Sequence, residues 1–148
     1  DENLQALLRG DLYLNVHTEA NSGGEIRGQV LLNEGTSLSA SLTSAQNGVE
    51  ANGTGTAAMT LTDEGVAFEV TVDGLTGPIT NAHFHLGAPG ISGGAEHGIF
   101  DQFEGTAATG IWTPAEGLTD EMIAHLFAGN LYLNIHTAAN SGGGELRR

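Results

Sequence analysis

One segment of this 148-residue chain occurs twice, and no other feature restricts its possible folds as strongly. Residues 1–27 read DENLQALLRGDLYLNVHTEANSGGEIR, and residues 120–147 read DEMIAHLFAGNLYLNIHTAANSGGGELR. The offset is 119 residues, from Tyr13 to Tyr132, with one extra glycine near Gly144. A repeat period of about one domain means that the chain holds one whole unit and part of another. We place the boundary at Asn33-Glu34-Gly35. Residues 1–32 are then the C-terminal part of a preceding repeat, and 36–148 a complete unit. The first copy opens at Asp1, the counterpart of Asp120, as a cut through a longer array would; the alternative is a natural N-terminus with a partial duplication. A segment of this size cannot bury a core alone. It must pack on its own missing half, on the whole unit or on another chain.

Between the copies, apolar residues alternate at period two, which gives each strand an inner and an outer face. Leu38, Ala40 and Leu42 point inward, then Ala57, Met59 and Leu61, and, after the turn at Asp63-Glu64-Gly65, Val66, Phe68, Val70 and Val72. Ile26, Gly28, Val30 and Leu32 share one face of a strand over 25–32. Further strands are expected at 79–86, 97–103, 106–112, 131–137 and 144–148. One short helix is expected at 120–128, with Thr119 as N-cap, Asp120 and Glu121 in the first turn, and Gly129 as the stop. Eight or so short strands with one helix predict an all-β fold, an antiparallel, Greek-key-like β-sandwich or flattened barrel. The 23 glycines suit the many turns this needs.

Eighteen acidic residues stand against four arginines, and lysine is absent. Such a field repels phosphate backbones and anionic lipid, so nucleic acid is excluded as a partner, while cations are attracted. There is no cysteine, hence no disulfide frame or thiolate chemistry. No apolar stretch approaches the length of a membrane span. The sequence holds no Gly-x-Ser-x-Gly elbow, His-Glu-x-x-His helix or phosphate-binding glycine loop, and conventional catalysis finds no foothold.

Histidine placement carries the chemistry. In Ala82-His83-Phe84-His85-Leu86, alternation sends Phe84 and Leu86 to the core and both imidazoles to the outer face, roughly 7 Å apart. In Leu131-Tyr132-Leu133-Asn134-Ile135-His136, Tyr132, Asn134 and His136 face outward, as do Tyr13, Asn15 and His17 in the first copy. If the two strands are neighbours, three imidazoles converge in a set that suits Cu(II) or Zn(II), with His97 as a candidate fourth ligand. The alternative is a solvated or hydrogen-bonded surface pair with no metal. His125, on the helix, is read as structural. A calcium site has weaker support, because Asp63, Glu64, Asp73 and Glu96 lie in turns without the dense oxygen spacing that calcium loops use.

The blocks AHFHLGAPGISGG (82–94), LTDEMIAHLFAGNLYLNIHT (118–137) and GGEIRGQV (23–30) resemble, in order, the signature segments of the chordin-type (CHRD) domain family. The likeness spans 36–148, and 1–32 resembles the family's final third. It departs at the end, where GGGELRR stands in place of GEIRGQ. The resemblance implies a secreted, cell-surface or periplasmic β-sandwich, often in tandem, akin to the copper/zinc superoxide dismutase sandwich, with no single activity attached. The leading expectation is a non-enzymatic extracellular structural module that self-associates through β-strand edges into a tandem array or filament, with a histidine metal site beside the junctions. A periplasmic or cell-surface copper-binding protein is the alternative. A superoxide-dismutase-like copper enzyme is a third, although no bridging imidazole or zinc-binding aspartate can be assigned.

Overall fold

A computed structural model describes Asn3, Ala6, Leu7 and residues 10–30 and 35–148. Strands β1 (Tyr13–Val16) and β2 (Ile26–Gln29) form a two-stranded antiparallel sheet of their own. The body contains β3 (Ser37–Thr43), β4 (Thr54–Leu61), β5 (Val66–Asp73), β6 (Ile79–Leu86), β7 (Ala95–Gly98), β8 (Phe103–Glu104), β9 (Ala107–Trp112), helix α1 (Asp120–Phe127), β10 (Leu131–Thr137) and β11 (Leu146–Arg147). Its nine strands make one antiparallel sheet in the order β7-β6-β10-β11-β3-β4-β5-β9-β8. The all-β fold with one short helix is therefore as expected. The last hairpin, β10–β11, inserts between β6 and β3, which gives the connectivity its Greek-key character.

The sheet curls into two facing layers. Phe84 of β6 and Phe68 of β5 lie far apart in strand order, yet their rings meet edge to face at 5.7 Å. Trp112 of β9 likewise stacks on Phe84 at 5.9 Å. Alternation supplies the filling: on β5, Val66, Phe68, Val70 and Val72 are all buried while Glu69, Thr71 and Asp73 are exposed. Burial of so many aliphatic side chains is the main term that favours folding.

The expected strand over 97–103 is broken. Ile99 is fully buried, with φ −128 and ψ 15, and a 3-10 turn at Phe100–Gln102 follows. This turn carries the chain from β7 at one edge of the sheet to β8 at the other, and so closes the curl. Helix α1 begins as read: the Thr119 hydroxyl accepts from the Met122 N–H at 3.1 Å. Of the strand read over 25–32, β2 covers Ile26–Gln29; Leu31 and Leu32, with Asn33 and Glu34 of the proposed unit boundary, lie outside the described residues.

Gly110 is paired with Phe68 across β5 and β9, and a Cβ at Gly110 would stand 2.6 Å from the Phe68 ring. The ring is 2% exposed and wedged against Phe84, so it has little room to yield. Gly110→Ala is expected to destabilise the protein by about 1–3 kcal/mol, the range for overpacking a filled core. A urea titration checks this, with a lower midpoint at an unchanged m-value.

Candidate functional site

Strand β10 pairs with β6 so that Asn134 lies opposite His83, Tyr132 opposite His85 and His136 opposite Asn81. Residues of like parity share a face, so His83, His85 and His136 converge on one side of the two strands. The His83 ring stands 5.4 Å from both His85 and His136, nearly perpendicular to each. One ligand nitrogen from each of the three lies within 4.8 Å of the others.

The face is not bathed in solvent, and this corrects the outward reading of β10. Tyr132, Asn134 and His136 are only 7%, 6% and 8% exposed. Two loops cover them. Residues 87–94 approach from one side, where the Gly93 N–H donates to the Tyr132 hydroxyl at 3.1 Å and His85, stacked on Tyr132 at 5.0 Å, places Nδ1 3.0 Å from the Gly93 carbonyl. Residues 138–144 approach from the other, where His136 Nδ1 lies 3.0 Å from the Ser141 carbonyl. A carbonyl only accepts, so both rings carry hydrogen on Nδ1 and leave a lone pair on Nε2. The His136 lone pair meets Asn134 Nδ2 at 3.3 Å. His85 Nε2 and His83 Nδ1 are buried without a hydrogen-bond partner. Burial and the nearby His136 and His85 hold His83 below the ordinary histidine range, so the ring stays neutral near pH 7.

Asn134 anchors the covering loop. Its side chain donates to the Gly143 carbonyl at 3.1 Å and accepts from Asn47 Nδ2 at 2.7 Å. A Cβ on Gly144, at φ 86, would strike the Asn134 amide at 2.2 Å, so glycine is required there twice over. Beneath the loop, Glu145 is fully buried. Its carboxylate accepts from the Thr76 N–H at 2.8 Å, the Thr76 hydroxyl at 2.5 Å, the Thr137 hydroxyl at 2.7 Å and Asn140 Nδ2 at 3.2 Å. Burial pushes its pKa up, but these donors outweigh it and hold Glu145 below the ordinary carboxylate range. Sequence reading missed Glu145. Its signal was the shared pattern Thr-x-x-Asn-Ser-Gly-Gly with a glutamate at the end, present in both copies.

The structure does not bring the other two candidate ligands to the cluster. His97 lies on β7 opposite Phe84 and stacks on Trp112 at 4.8 Å, on the core side of the sheet. His17 belongs to the separate hairpin, where Nδ1 lies 2.8 Å from the Ser22 carbonyl. His125, on α1, stands 3.9 Å from Glu121.

The first hairpin reproduces the last one contact by contact. Thr18 donates to Glu25 at 2.6 Å, and Asn21 Nδ2 donates to the same carboxylate oxygen at 3.3 Å. Asn15 donates to Gly23, and the Arg27 guanidinium covers Tyr13 at 3.7 Å as Arg147 covers Tyr132 at 3.8 Å. The tertiary surroundings do not recur. Leu14 is 65% exposed against 2% for Leu133, and Ile26 is 66% exposed against 0% for Leu146.

The family model for the CHRD domain matches residues 1–30 and 38–147, and the chain belongs to that family. Neither the search of curated proteins nor the search of solved structures returned a match.

Glu145→Gln places an amide N–H against a ring of donors, and we expect a loss of about 1–3 kcal/mol in thermal or urea unfolding. A folded-state pKa below the unfolded one also fixes the pH dependence. The Glu145 contribution is complete above about pH 4.3, the ordinary glutamate value, and is lost as pH falls toward the folded pKa. Wild-type stability should therefore fall more steeply through that acid window than stability of the Gln variant.

Proposed function

We propose that this CHRD-domain chain is a non-enzymatic extracellular structural module that assembles by β-strand addition, its N-terminal hairpin adding to the sheet of a neighbouring unit. The family is generally extracellular. Among the described residues, no helix is long and apolar enough to cross a membrane.

The observation that carries this reading is the bare hairpin. Its two strands pair over their full length, yet among the described residues neither outer edge of the β1–β2 pair joins another strand. In the body, β10 has β6 on its outer edge and β11 has β3. Strand edges and an apolar face of this kind are satisfied by pairing with a further sheet.

The body offers a candidate acceptor for this addition. Strand β11 pairs with β3 only through Arg147 and Thr43. Beyond it a groove of about 530 Å³ opens between β3 and β10, with Leu38, Ala40, Met59, Leu126 and Leu131 among its lining. Burying what remains exposed of Leu14, Val16 and Ile26, at 65%, 44% and 66%, contributes roughly 3–5 kcal/mol. Association costs about 4–15 kcal/mol, so one such contact is marginal and a repeated array, with its high effective concentration, is favoured.

In the full chain, wild-type protein is expected to form oligomers or filaments by light scattering and electron microscopy. Leu14→Lys/Ile26→Lys should remain dispersed at an unchanged Tm, and Ala40→Glu should also abolish assembly from the groove side, at a lower Tm because Ala40 packs against the core. Dispersed wild-type protein at high concentration, or undiminished assembly in these variants, would overturn the proposal.

A further inference from the structure

The structure assigns a transition-metal site to His83, His85 and His136, with copper or zinc as the ions that its donor set fits. Three observations converge on it. The three ligand nitrogens come from two paired strands and already lie within 4.8 Å of one another. Around a tetrahedral ion with metal–nitrogen bonds of about 2.0–2.1 Å, such nitrogens stand roughly 3.3 Å apart. Binding therefore asks for at most about 1.5 Å of closure, which side-chain rotation supplies.

The second observation is the outer hydrogen bonding. His85 donates Nδ1–H to the Gly93 carbonyl and His136 donates Nδ1–H to the Ser141 carbonyl, at 3.0 Å each. Metal-ligating histidines are oriented in this way, with one ring nitrogen fixed by a carbonyl and the other turned to the ion. The third observation is the unsatisfied chemistry. His83 Nδ1 and His85 Nε2 are shut from solvent with no partner, which costs free energy unless something accepts their lone pairs. A cation does so. A proton would place positive charges on crowded rings, whereas one ion serves all three lone pairs together.

The ligand class follows from the donors. Neutral imidazoles, without thiolate or carboxylate among them, favour Cu(II) or Zn(II) over the oxygen-seeking Ca(II) and Mg(II). The lone pair of His136 now meets Asn134 Nδ2 at 3.3 Å, a long contact that the ion takes over. The formal charge of −14 raises the local concentration of cations around the chain. Three protein ligands leave coordination positions for water or an exogenous ligand. A bound ion would also tie β6 to β10 at the site the two covering loops enclose.

The test is a titration of the full chain with Zn(II), followed by the imidazole resonances in long-range nitrogen–proton NMR, and with Cu(II), followed by calorimetry. We expect the ring signals of His83, His85 and His136 to shift together and saturate at one ion per chain, with those of His17, His97 and His125 unmoved. His83→Ala/His136→Ala should weaken binding beyond the roughly 10–100-fold that loss of an outer partner causes. His17→Ala should bind as wild type does. Equal binding by a folded double variant refutes the site, and so does a wild-type titration in which other histidines respond or none do. The wild-type spectra decide the question alone if the double variant fails to fold.

Discussion

A single buried carboxylate holds the architecture of the site together. Glu145 receives hydrogen bonds from Thr76 on one stretch of chain and from Thr137 and Asn140 on another, and its own N–H donates to the Ile135 carbonyl. An ionised group this deep persists only when its lone pairs are saturated, and here they are. The consequence is geometric. With Glu145 fixed, the return from β10 to β11 has one path, and that path brings Ser141 to His136 and Gly143 to Asn134. The histidine face is thus shaped from below by a residue that never touches it.

Much of this could be read in the sequence. Period-two alternation located β6 and β10 with their faces, because a strand half-buried in a sandwich leaves an unambiguous apolar signature. The Thr119 cap and the acidic first turn located α1 for equally local reasons. What alternation cannot express is a second layer of cover. Tyr132, Asn134 and His136 carry the pattern of solvent-facing residues and are buried under loops whose glycine-rich sequences say little about where they fold. The break at Ile99 was hidden similarly: Ala95 to Phe103 contains enough apolar residues to suggest one strand, and only closure of the curled sheet demands a turn within it. His97 was ambiguous from the start, since an imidazole beside glycines suits a ligand or an aromatic stack, and Trp112 decided the matter.

The two copies of the repeat separate local from tertiary causes. The clasp of Thr18, Asn21 and Glu25, the amide of Asn15 over its glycine turn and the Arg27–Tyr13 stack form in a hairpin that, among the described residues, pairs with no further strand. These contacts are encoded within about twenty residues and need nothing else. The partnership of Glu145 with Thr76 and the burial of Leu133 and Leu146 are properties of the body. A polar clasp that forms locally gives the hairpin a fixed shape before any apolar face finds its counterpart, which is the preorganisation that strand addition favours.

The two-residue strand β11 has a mechanical meaning. It lies inside the nine-stranded order, with three strands on one side and five on the other, and it meets β3 through one residue pair. The junctions β10–β6, β3–β4, β4–β5 and β5–β9 each run over six or more residue pairs, that of β10 and β6 with one bulge. Tension across the sandwich would concentrate on this narrow seam, and the two halves would part there like a book along its spine before any other strand pair loosened. A module joined to its neighbours in series would then owe its compliance to the length of one strand.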